Sequence, residues 1–513
     1  MTERIFFKLL LCIVSYLFVA CSSSENVFTR VEQYYADDSL KQESAKYLGM
    51  YSSYHNGVTR HLTDSLGNAI NDIDRSTFAS DTAFFEYLGN HKYKFLSRDT
   101  LSDVASLSDS FLIENIELAF DSWHKPWARD VNFSDFCKYI LPYRNADEEL
   151  SNWRSVLKNR YEPSIVDSVQ DVTSMKEVSE YIMREVRRDF YYTTKSRDLY
   201  DNFLTLDEMD SLGGGECRAC AHYAALALRA CGIPCTMIEI HWRFTECPHT
   251  TVMIPAIGSN DKSFRISVGD TLIYMGEPKD TMAAWRVWAY SYEPNLDLMK
   301  LSEDKRISDE FVCPLTRQDI TDAMCRTYDF SLPVEHGSDD NLFLCRFHNW
   351  QWYAIREGQV KGDSVYFRNA TIRQWYRLGR MKGDEIEPFG ETFTILGNGD
   401  VRKYDLTGDS VLFKIAYSCD PDEDRLIRKK TTYQWDKVGW KPYTDDALLW
   451  GFNQKTGEYR VFEEKYRKDF VPVFHLLKIK SPCWTVFFDD ELPRPLGFIV
   501  KDPTSGEGYF MQF

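Results

Sequence analysis

Helical spacing of apolar residues dominates the first third of the chain. Val27, Val31 and Tyr34 recur at the three- and four-residue spacing that brings side chains to one face of a helix. Similar periodic stretches follow, and glycine is sparse among them. The pattern predicts a helical N-terminal domain over residues 27–188. Further helices within it are predicted at Phe133 to Ile140, Glu148 to Arg160 and Met175 to Arg188.

The pattern changes over residues 189–300. Three glycines at 213–215 precede an alanine-rich helix predicted from Cys217 to Cys231, and Gly232-Ile233-Pro234 ends it, since glycine favours the C-terminal cap and proline cannot continue a helix. Short apolar runs separated by turns then predict strands at Cys235 to Ile240, Thr251 to Ile254, Phe264 to Val268 and Leu272 to Met275. A helix followed by antiparallel strands indicates the α+β class.

From about Leu301 the chain is rich in short, aromatic strand-like runs, such as Leu342 to Phe347 and Trp350 to Ile355. Their regular spacing predicts sandwich-like β modules over residues 301–417 and 418–513, with a seam in the acidic turn from Ser418 to Arg425. Aromatics at a two-residue period are typical of sandwich core, although a carbohydrate- or peptide-binding platform is an alternative.

The first twenty residues form a targeting segment. Arg4 and Lys8 precede an apolar run from Leu9 to Val19 that is short for a membrane span, and Ala20-Cys21 follows. This order resembles a bacterial lipoprotein signal at 1–20, with lipid attached to Cys21 and a polar tether over 21–26. An ordinary signal peptide or a membrane anchor is the alternative. The interpretation predicts an outer-membrane lipoprotein in the cell envelope, facing the periplasm or the cell surface.

The formal net charge of −17 excludes an electrostatic footprint for DNA or RNA, so nucleic acid is not an expected partner. Thirteen cysteines are present. Most of them lie singly in apolar runs of a large chain, which favours buried thiols over a disulfide framework.

The stretch from Gly215 to Pro234 carries the candidate chemistry. A cysteine in the first turn of a helix meets the positive end of the helix dipole and unpaired backbone N–H groups. These favour thiolate, so the pKa of Cys217 is expected to fall and its nucleophilicity to rise. The same N–H groups can bind an oxyanion. Gly215 and Glu216, beside the nucleophile, are candidate substrate-cleft residues.

His249 opens an apolar strand, and Asp270 ends the next one. Adjacent antiparallel strands can bring the two side by side. Cys217, His249 and Asp270 therefore form a candidate catalytic set of nucleophile, base and orienting acid. Trp242 lies on a strand that leads to this site, and it is a candidate cleft wall or core residue. His241 precedes it on the same strand.

These residues resemble the transglutaminase-like superfamily, which has a papain-like cysteine fold. The match lies at Gly215, Cys217, Ala221, Arg229, Gly232, Ile233, Pro234, His249 and Asp270. Thr251 stands where the family commonly has Trp, and Thr271 where Pro often follows the acid. The segment from Phe136 to Arg144, with Trp153-Arg154, is similar to Bacteroidetes transglutaminase-like lipoproteins. The resemblance implies peptidase, amidase or acyltransferase chemistry on a peptide, protein or cell-wall peptide, with no cofactor.

Several alternatives remain open. Cys217 and Cys220 form a Cys-x-x-Cys pair that invites a redox interpretation, and Cys247 and His249 extend it to a zinc set, although no second Cys-x-x-Cys pair exists and no metal is expected. His222 is predicted to be a packing histidine, and Arg229 a contact to carbonyls or an acid at the helix end. A catalytically inactive binding or scaffold lipoprotein on the same fold is the alternative function.

Overall fold

The architecture is given by a computed structural model. It describes residues 26–193, 199–200, 203–242, 248–257, 263–266, 273–275, 284–296, 315–334, 342–348, 351–372, 374, 376–383 and 385–404, and the backbone of the strands at 447–452, 459–461, 471–477, 484–487, 497–501 and 508–512. Helices and antiparallel sheets both occur, in agreement with the α+β prediction.

Nine α-helices occupy residues 27–189. They are α1 (Val27–Tyr34), α2 (Ser39–Tyr51), α3 (Asp81–His91), α4 (Asp103–Ser106), α5 (Asp109–Trp123), α6 (Phe133–Tyr139), α7 (Trp153–Tyr161), α8 (Ile165–Ser168) and α9 (Met175–Asp189). Serine side chains cap α5 and α9, since Ser108 accepts the N–H of Phe111 and Ser174 that of Glu177. Helix α7 begins five residues later than predicted, because Glu148 accepts backbone N–H groups in a turn.

Two strands interrupt the region predicted to be wholly helical. Strand β1 (Asn56–Thr63) pairs antiparallel with β2 (Lys94–Ser102). The predicted face of α1 is also partly wrong. Val27 and Val31 are buried, but Tyr34 is exposed and the next residue, Tyr35, is buried in its place. The helix ends at Tyr34, so its periodicity does not apply to Tyr35.

The middle of the chain contains one long helix packed on a sheet. After β3 (Tyr191–Tyr192), α10 (Leu206–Leu212) and β4 (Gly214–Gly215), helix α11 runs from Cys217 to Ala230. Gly232 adopts φ +79° and closes it, as predicted. The antiparallel sheet has the order β10-β9-β5-β6-β7-β8. Its strands are β5 (Thr236–Trp242), β6 (His249–Ile254), β7 (Ser263–Ile266), β8 (Ile273–Met275), β9 (Ala284–Tyr290) and β10 (Arg317–Asp319).

The two faces of this sheet bury different side chains. Met237, Val252 and Ile254 pack in one core with α11. Ile238 and Ile240 pack on the opposite face, in a second core with residues of the short helix α12 (Thr321–Met324). Alternate residues of a strand point to opposite faces, so the odd-numbered residues of β5 lie on the α11 side.

The hydrophobic core on the α11 side is continuous with that of the N-terminal helices. It joins Ile116 of α5 and Leu157 of α7 to Ala224 of α11. Arg154 is buried in it and donates to the carbonyl of Arg229 at the end of α11 and to that of Ile140. Residues on both sides of position 188 therefore share one core, and α11 is held from behind by the N-terminal helices.

Strands dominate the described residues of the rest of the chain. They are β11 (Thr327–Pro333), β12 (Leu342–His348), β13 (Gln351–Glu357), β14 (Gln359–Lys361), β15 (Ser364–Thr371), β16 (Tyr376–Lys382), β17 (Glu385–Ile395), β18 (Val401–Tyr404), β19 (Ala447–Phe452), β20 (Tyr459–Val461), β21 (Val471–Leu477), β22 (Trp484–Phe487), β23 (Gly497–Lys501) and β24 (Gly508–Gln512). The sheets β11-β15-β14 and β13-β12-β16-β17-β18 share a core that includes Phe330, Phe367 and Phe393. The seam predicted from Ser418 to Arg425 lies outside the described residues.

Within the part of the chain that the structure describes, no helix is both long enough and apolar enough to cross a membrane.

Candidate functional site

Cys217 is the first residue of α11, and the backbone before it is tightly placed. Strand β4 pairs in parallel with β3, with Tyr191 opposite Gly214. A Cβ on Gly214 would lie 2.5 Å from the carbonyl oxygen of Tyr191, so the pairing requires glycine there. The carbonyl of Gly215 accepts the N–H of Thr193 at 2.8 Å. This pairing fixes the position of the backbone just before α11 begins.

Glu216 caps the helix and faces the thiol. One carboxylate oxygen accepts the N–H of Arg218 at 2.9 Å and lies 3.7 Å from the Sγ of Cys217. The other lies 3.3 Å from the Arg218 guanidinium. A negative charge therefore occupies the positive end of α11. Of the two cleft candidates, Gly215 is buried and Glu216 is half-buried beside the nucleophile.

The expectation of a lowered thiol pKa at Cys217 is wrong. Burial raises the pKa of Cys217, and the charge of Glu216 adds to this. The backbone N–H groups of Thr250 and Arg218 act in the opposite direction but do not outweigh them. The helix dipole was expected to stabilise thiolate, but the capping carboxylate and the half-buried setting oppose it. The thiol therefore needs a proton acceptor to react near neutral pH.

The other described free cysteines behave as packing residues. Cys137, Cys220, Cys231, Cys235, Cys325 and Cys345 are buried, whereas Cys217 is half-buried. The Sγ of Cys220 donates to the carbonyl of Gly215 at 3.3 Å, and burial raises its pKa to about 12. The prediction of buried thiols is confirmed for these six.

His249 is half-buried as the first residue of β6 and pairs with Ile240 of β5. The next residue, Thr250, directs its backbone N–H to the thiol of Cys217. The structure thus brings the start of β6 to the start of α11. Asp270, the predicted acid, lies outside the described residues, as do the side chain of Trp242 and Cys21, the predicted lipid attachment point.

Two predictions for side chains of α11 are confirmed. His222 is fully buried, with Nε2 3.0 Å from the carbonyl of Leu204 and Nδ1 3.1 Å from the amide nitrogen of Asn145. It is a packing histidine. Arg229 donates to the carbonyls of Cys235 and Arg144, so it holds the turn after the helix.

Sequence reasoning missed an acid beside this site. Glu239, on β5, is buried and pairs directly with Thr250 of β6. Its Oε1 lies 2.7 Å from Nε2 of His241 and 2.9 Å from Nη1 of Arg317. The hydroxyl of Tyr290 donates to Oε2 at 3.3 Å. In the sequence, Glu239 stands between two isoleucines. That alternation is typical of a strand position that faces solvent, so nothing in the sequence indicated a buried acid.

The carboxylate of Glu239 is held in its charged form. Burial acts to raise its pKa, but the hydrogen bond from His241 and the charge of Arg317 outweigh burial and lower it. An ionised, anchored carboxylate next to an imidazole is the arrangement that orients a histidine.

Among the described residues, no three His, Cys, Asp or Glu side chains are placed to hold a metal ion. Cys247, part of the zinc alternative, lies outside that part of the chain. No protein-family model matches the chain, and no curated protein matches it.

Proposed function

We propose that this chain performs thiol-dependent acyl chemistry on amide bonds, with Cys217 as the nucleophile of a transglutaminase-like, papain-like core. The observation that carries the proposal is the meeting of α11 and β6. A half-buried cysteine begins the helix, and the strand that begins with His249 contacts the thiol through the N–H of Thr250.

The reaction begins when Cys217 Sγ attacks the amide carbonyl and an imidazole accepts the thiol proton. The sequence nominates His249 for this step. The tetrahedral intermediate collapses, the C–N bond breaks, and the same proton passes to the leaving amine. Water or a second amine then attacks the thioester, gives up a proton to the imidazole and releases Cys217. Water gives a peptidase or amidase, and an amine gives a transglutaminase.

The sequence nominates Asp270 as the acid, and this residue lies outside the described part of the chain. Asp270 would orient His249. Lipid at Cys21 would hold this core at the cell envelope, where peptide, protein and cell-wall stem peptides are the substrate class.

The test uses a glutamine-containing peptide with hydroxylamine as acceptor and, in parallel, hydrolysis of the same peptide. Cys217→Ala is expected to abolish both activities, with Cys220→Ala as the matched control from the same helix turn. His249→Ala is expected to abolish turnover as well, and the double variant to be little worse, because residues that act as a unit are non-additive. Turnover retained by Cys217→Ala would end the proposal.

A second candidate is a binding or scaffold lipoprotein that keeps the fold without turnover. The raised pKa of Cys217, caused by burial and by Glu216, favours it. Under this alternative the wild-type protein turns over neither peptide nor amine acceptor, while it still binds peptide.

A further inference from the structure

The cap of α11 places a carboxylate directly against the reacting sulfur. Oε2 of Glu216 lies 3.7 Å from Sγ of Cys217, and the same oxygen accepts the N–H of Arg218 at 2.9 Å. This hydrogen bond ties the carboxylate to the first turn of the helix. Any group that reaches Sγ therefore comes within a few ångströms of the charge on Glu216.

The nearest described positive charge lies on the other side of that carboxylate. Arg218 reaches Glu216 through Nε at 3.3 Å, on the oxygen that does not contact Sγ. Its guanidinium carbon lies 5.3 Å from the centroid of the Phe203 ring, and its charge also acts on Asp147 and Tyr290. Because Arg218 divides its charge between two carboxylates, it only partly neutralises the one beside the thiol.

The described charged groups act on the thiol with a negative sign. Glu216 has the largest effect among them on the pKa of Cys217, and it raises that pKa. The side chain of Glu216 is only 18% exposed, so salt screens its charge less than it screens a surface charge. The carboxylate therefore attracts cations towards the thiol and repels anions. The attraction persists over several ångströms and needs no direct hydrogen bond.

We propose that Glu216 is a specificity-determining residue that selects amide substrates with a positively charged group, an ammonium or a guanidinium, beside the scissile carbonyl. This inference rests on the proposed role of Cys217 as the nucleophile. It narrows the substrate class from peptides in general to peptides with a basic residue next to the reacting amide.

The cation is expected on the acyl donor and not on the amine acceptor. Glu216 opposes ionisation of the thiol, and a cation that binds beside it offsets this effect. The offset assists the reaction only before the thiol attacks, while Cys217 still has to lose its proton. An amine acceptor arrives after the thioester has formed, when no thiol remains to be ionised. A cationic donor therefore supplies part of the activation that the charge of Glu216 withholds.

The first test measures charge selection at the thiol without a substrate. The whole protein is treated with two methanethiosulfonate reagents of similar size, one trimethylammonioethyl and one sulfonatoethyl. The thiolate of Cys217 attacks the reagent, forms a mixed disulfide and releases methanesulfinate. Peptide mapping gives both rates, and their cationic-to-anionic ratio is divided by the same ratio for 2-mercaptoethanol. Because both reagents need the same thiolate, the ratio cancels differences in thiol pKa and exposure.

The wild-type ratio is expected to exceed that of 2-mercaptoethanol and to fall about tenfold in Glu216→Gln. A unit charge at about 4 Å changes the rate roughly fivefold for each sign of reagent charge, and salt and Arg218 reduce the combined effect. Glu216→Asp keeps the charge and a capping oxygen, so it is expected to retain most of the preference. Glu185→Gln on α9 changes the net charge equally and is expected to leave the ratio unchanged.

The second test uses two glutamine peptides that differ only in a lysine or a glutamate next to the glutamine, with hydroxylamine as acceptor. The wild-type protein is expected to convert the lysine peptide with a kcat/KM about tenfold higher, and Glu216→Gln to lose this difference. Cadaverine and neutral methoxyamine are compared as acceptors in parallel. A preference for cadaverine without a preference between the peptides would overturn the assignment of the cation to the donor.

A reagent ratio in Glu216→Gln within about twofold of wild type would overturn the inference, as would a wild-type ratio no greater than that of 2-mercaptoethanol. Absence of turnover with both peptides would refute the proposed function instead. The reagent ratio needs no turnover, so it would still decide whether Glu216 selects charge at the thiol.

Discussion

The backbone N–H of Thr250 lies near enough to the thiol of Cys217 to lower its pKa, so the start of β6 lies beside the start of α11. The amide cannot be lost by side-chain substitution, so this contact is a fixed feature of the site. It lowers the pKa of Cys217 against the larger effect of burial, and it marks where a thiolate or an oxyanion would find a donor.

Cys217 is expected to be the first of the described free cysteines to react with limiting iodoacetamide at pH 8. It is half-buried, whereas the thiols of Cys137 and Cys220 are buried and their pKa values are raised by burial to about 12. Peptide mapping of the labelled protein measures the order. Labelling should become faster as the pH rises, because burial also raises the pKa of Cys217. Earlier labelling of Cys220 would contradict the exposure difference.

Glu216→Gln is expected to increase the alkylation rate of Cys217 at pH 7 about threefold. Burial is the main cause of the raised thiol pKa and remains, but the charge of Glu216 is removed. Glutamine can still cap Arg218 through its oxygen. Glu185→Gln on α9, which pairs with the exposed Arg188, serves as control. A slower rate in Glu216→Gln would show that the hydrogen bond from Glu216 to the N–H of Arg218 affects the reactivity of Cys217 more than the charge of Glu216 does.

Gly214→Ala and Gly89→Ala are expected to change stability in opposite directions. A Cβ on Gly214 meets the carbonyl of Tyr191 at 2.5 Å, so the β3–β4 ladder must shift, at about 1–3 kcal/mol. A Cβ on Gly89, inside α3, meets nothing within 4 Å, and alanine there should stabilise by about 0.5–1 kcal/mol. Thermal unfolding measures both. Equal effects would contradict the close approach at Gly214.

The unfolding free energy is expected to fall as the pH drops from about 6.5 to 4, in part because of His55. This ring stacks on Tyr292, and burial lowers its pKa to about 4. Because the folded pKa lies below the unfolded value, the unfolded state binds the proton first, and up to about 3 kcal/mol is lost on acidification. His55→Phe should flatten this slope in urea titrations at pH 7 and 4.5. The exposed His91→Phe should not, and equal slopes in wild type and His55→Phe would contradict the assignment.

Local signals explain what the sequence predicted well. Helix α11 ends where Gly232 supplies a positive φ and Pro234 prevents continuation, and both requirements are visible in single residues. The predicted strands of the central sheet differ from the observed ones by one or two residues in most cases. Strands β1 and β2 were missed because half-buried residues on a two-stranded ladder give no clean alternation.

The expectation of a lowered pKa for Cys217 failed because of features that only the folded chain creates. The effect of the helix dipole on Cys217 could be read from position alone, but burial and the direction of the Glu216 carboxylate depend on the folded chain. Glu239 was missed for the same reason. Only the pairing of β5 with β6 and β9, and of β9 with β10, gives it Thr250, Tyr290 and Arg317 as neighbours.

The core shared by α5, α7 and α11 makes the helix of Cys217 part of a large cooperative folding unit. Arg154 ties the end of α11 to segments far earlier in the chain, so α11 cannot fray independently of them. In the segment 189–300 expressed alone, the face of α11 that packs on the N-terminal helices would be exposed to solvent. The N-terminal helices therefore stabilise the helix that begins with Cys217. A destabilising mutation in them would lower the reactivity of the thiol although it lies far from the site.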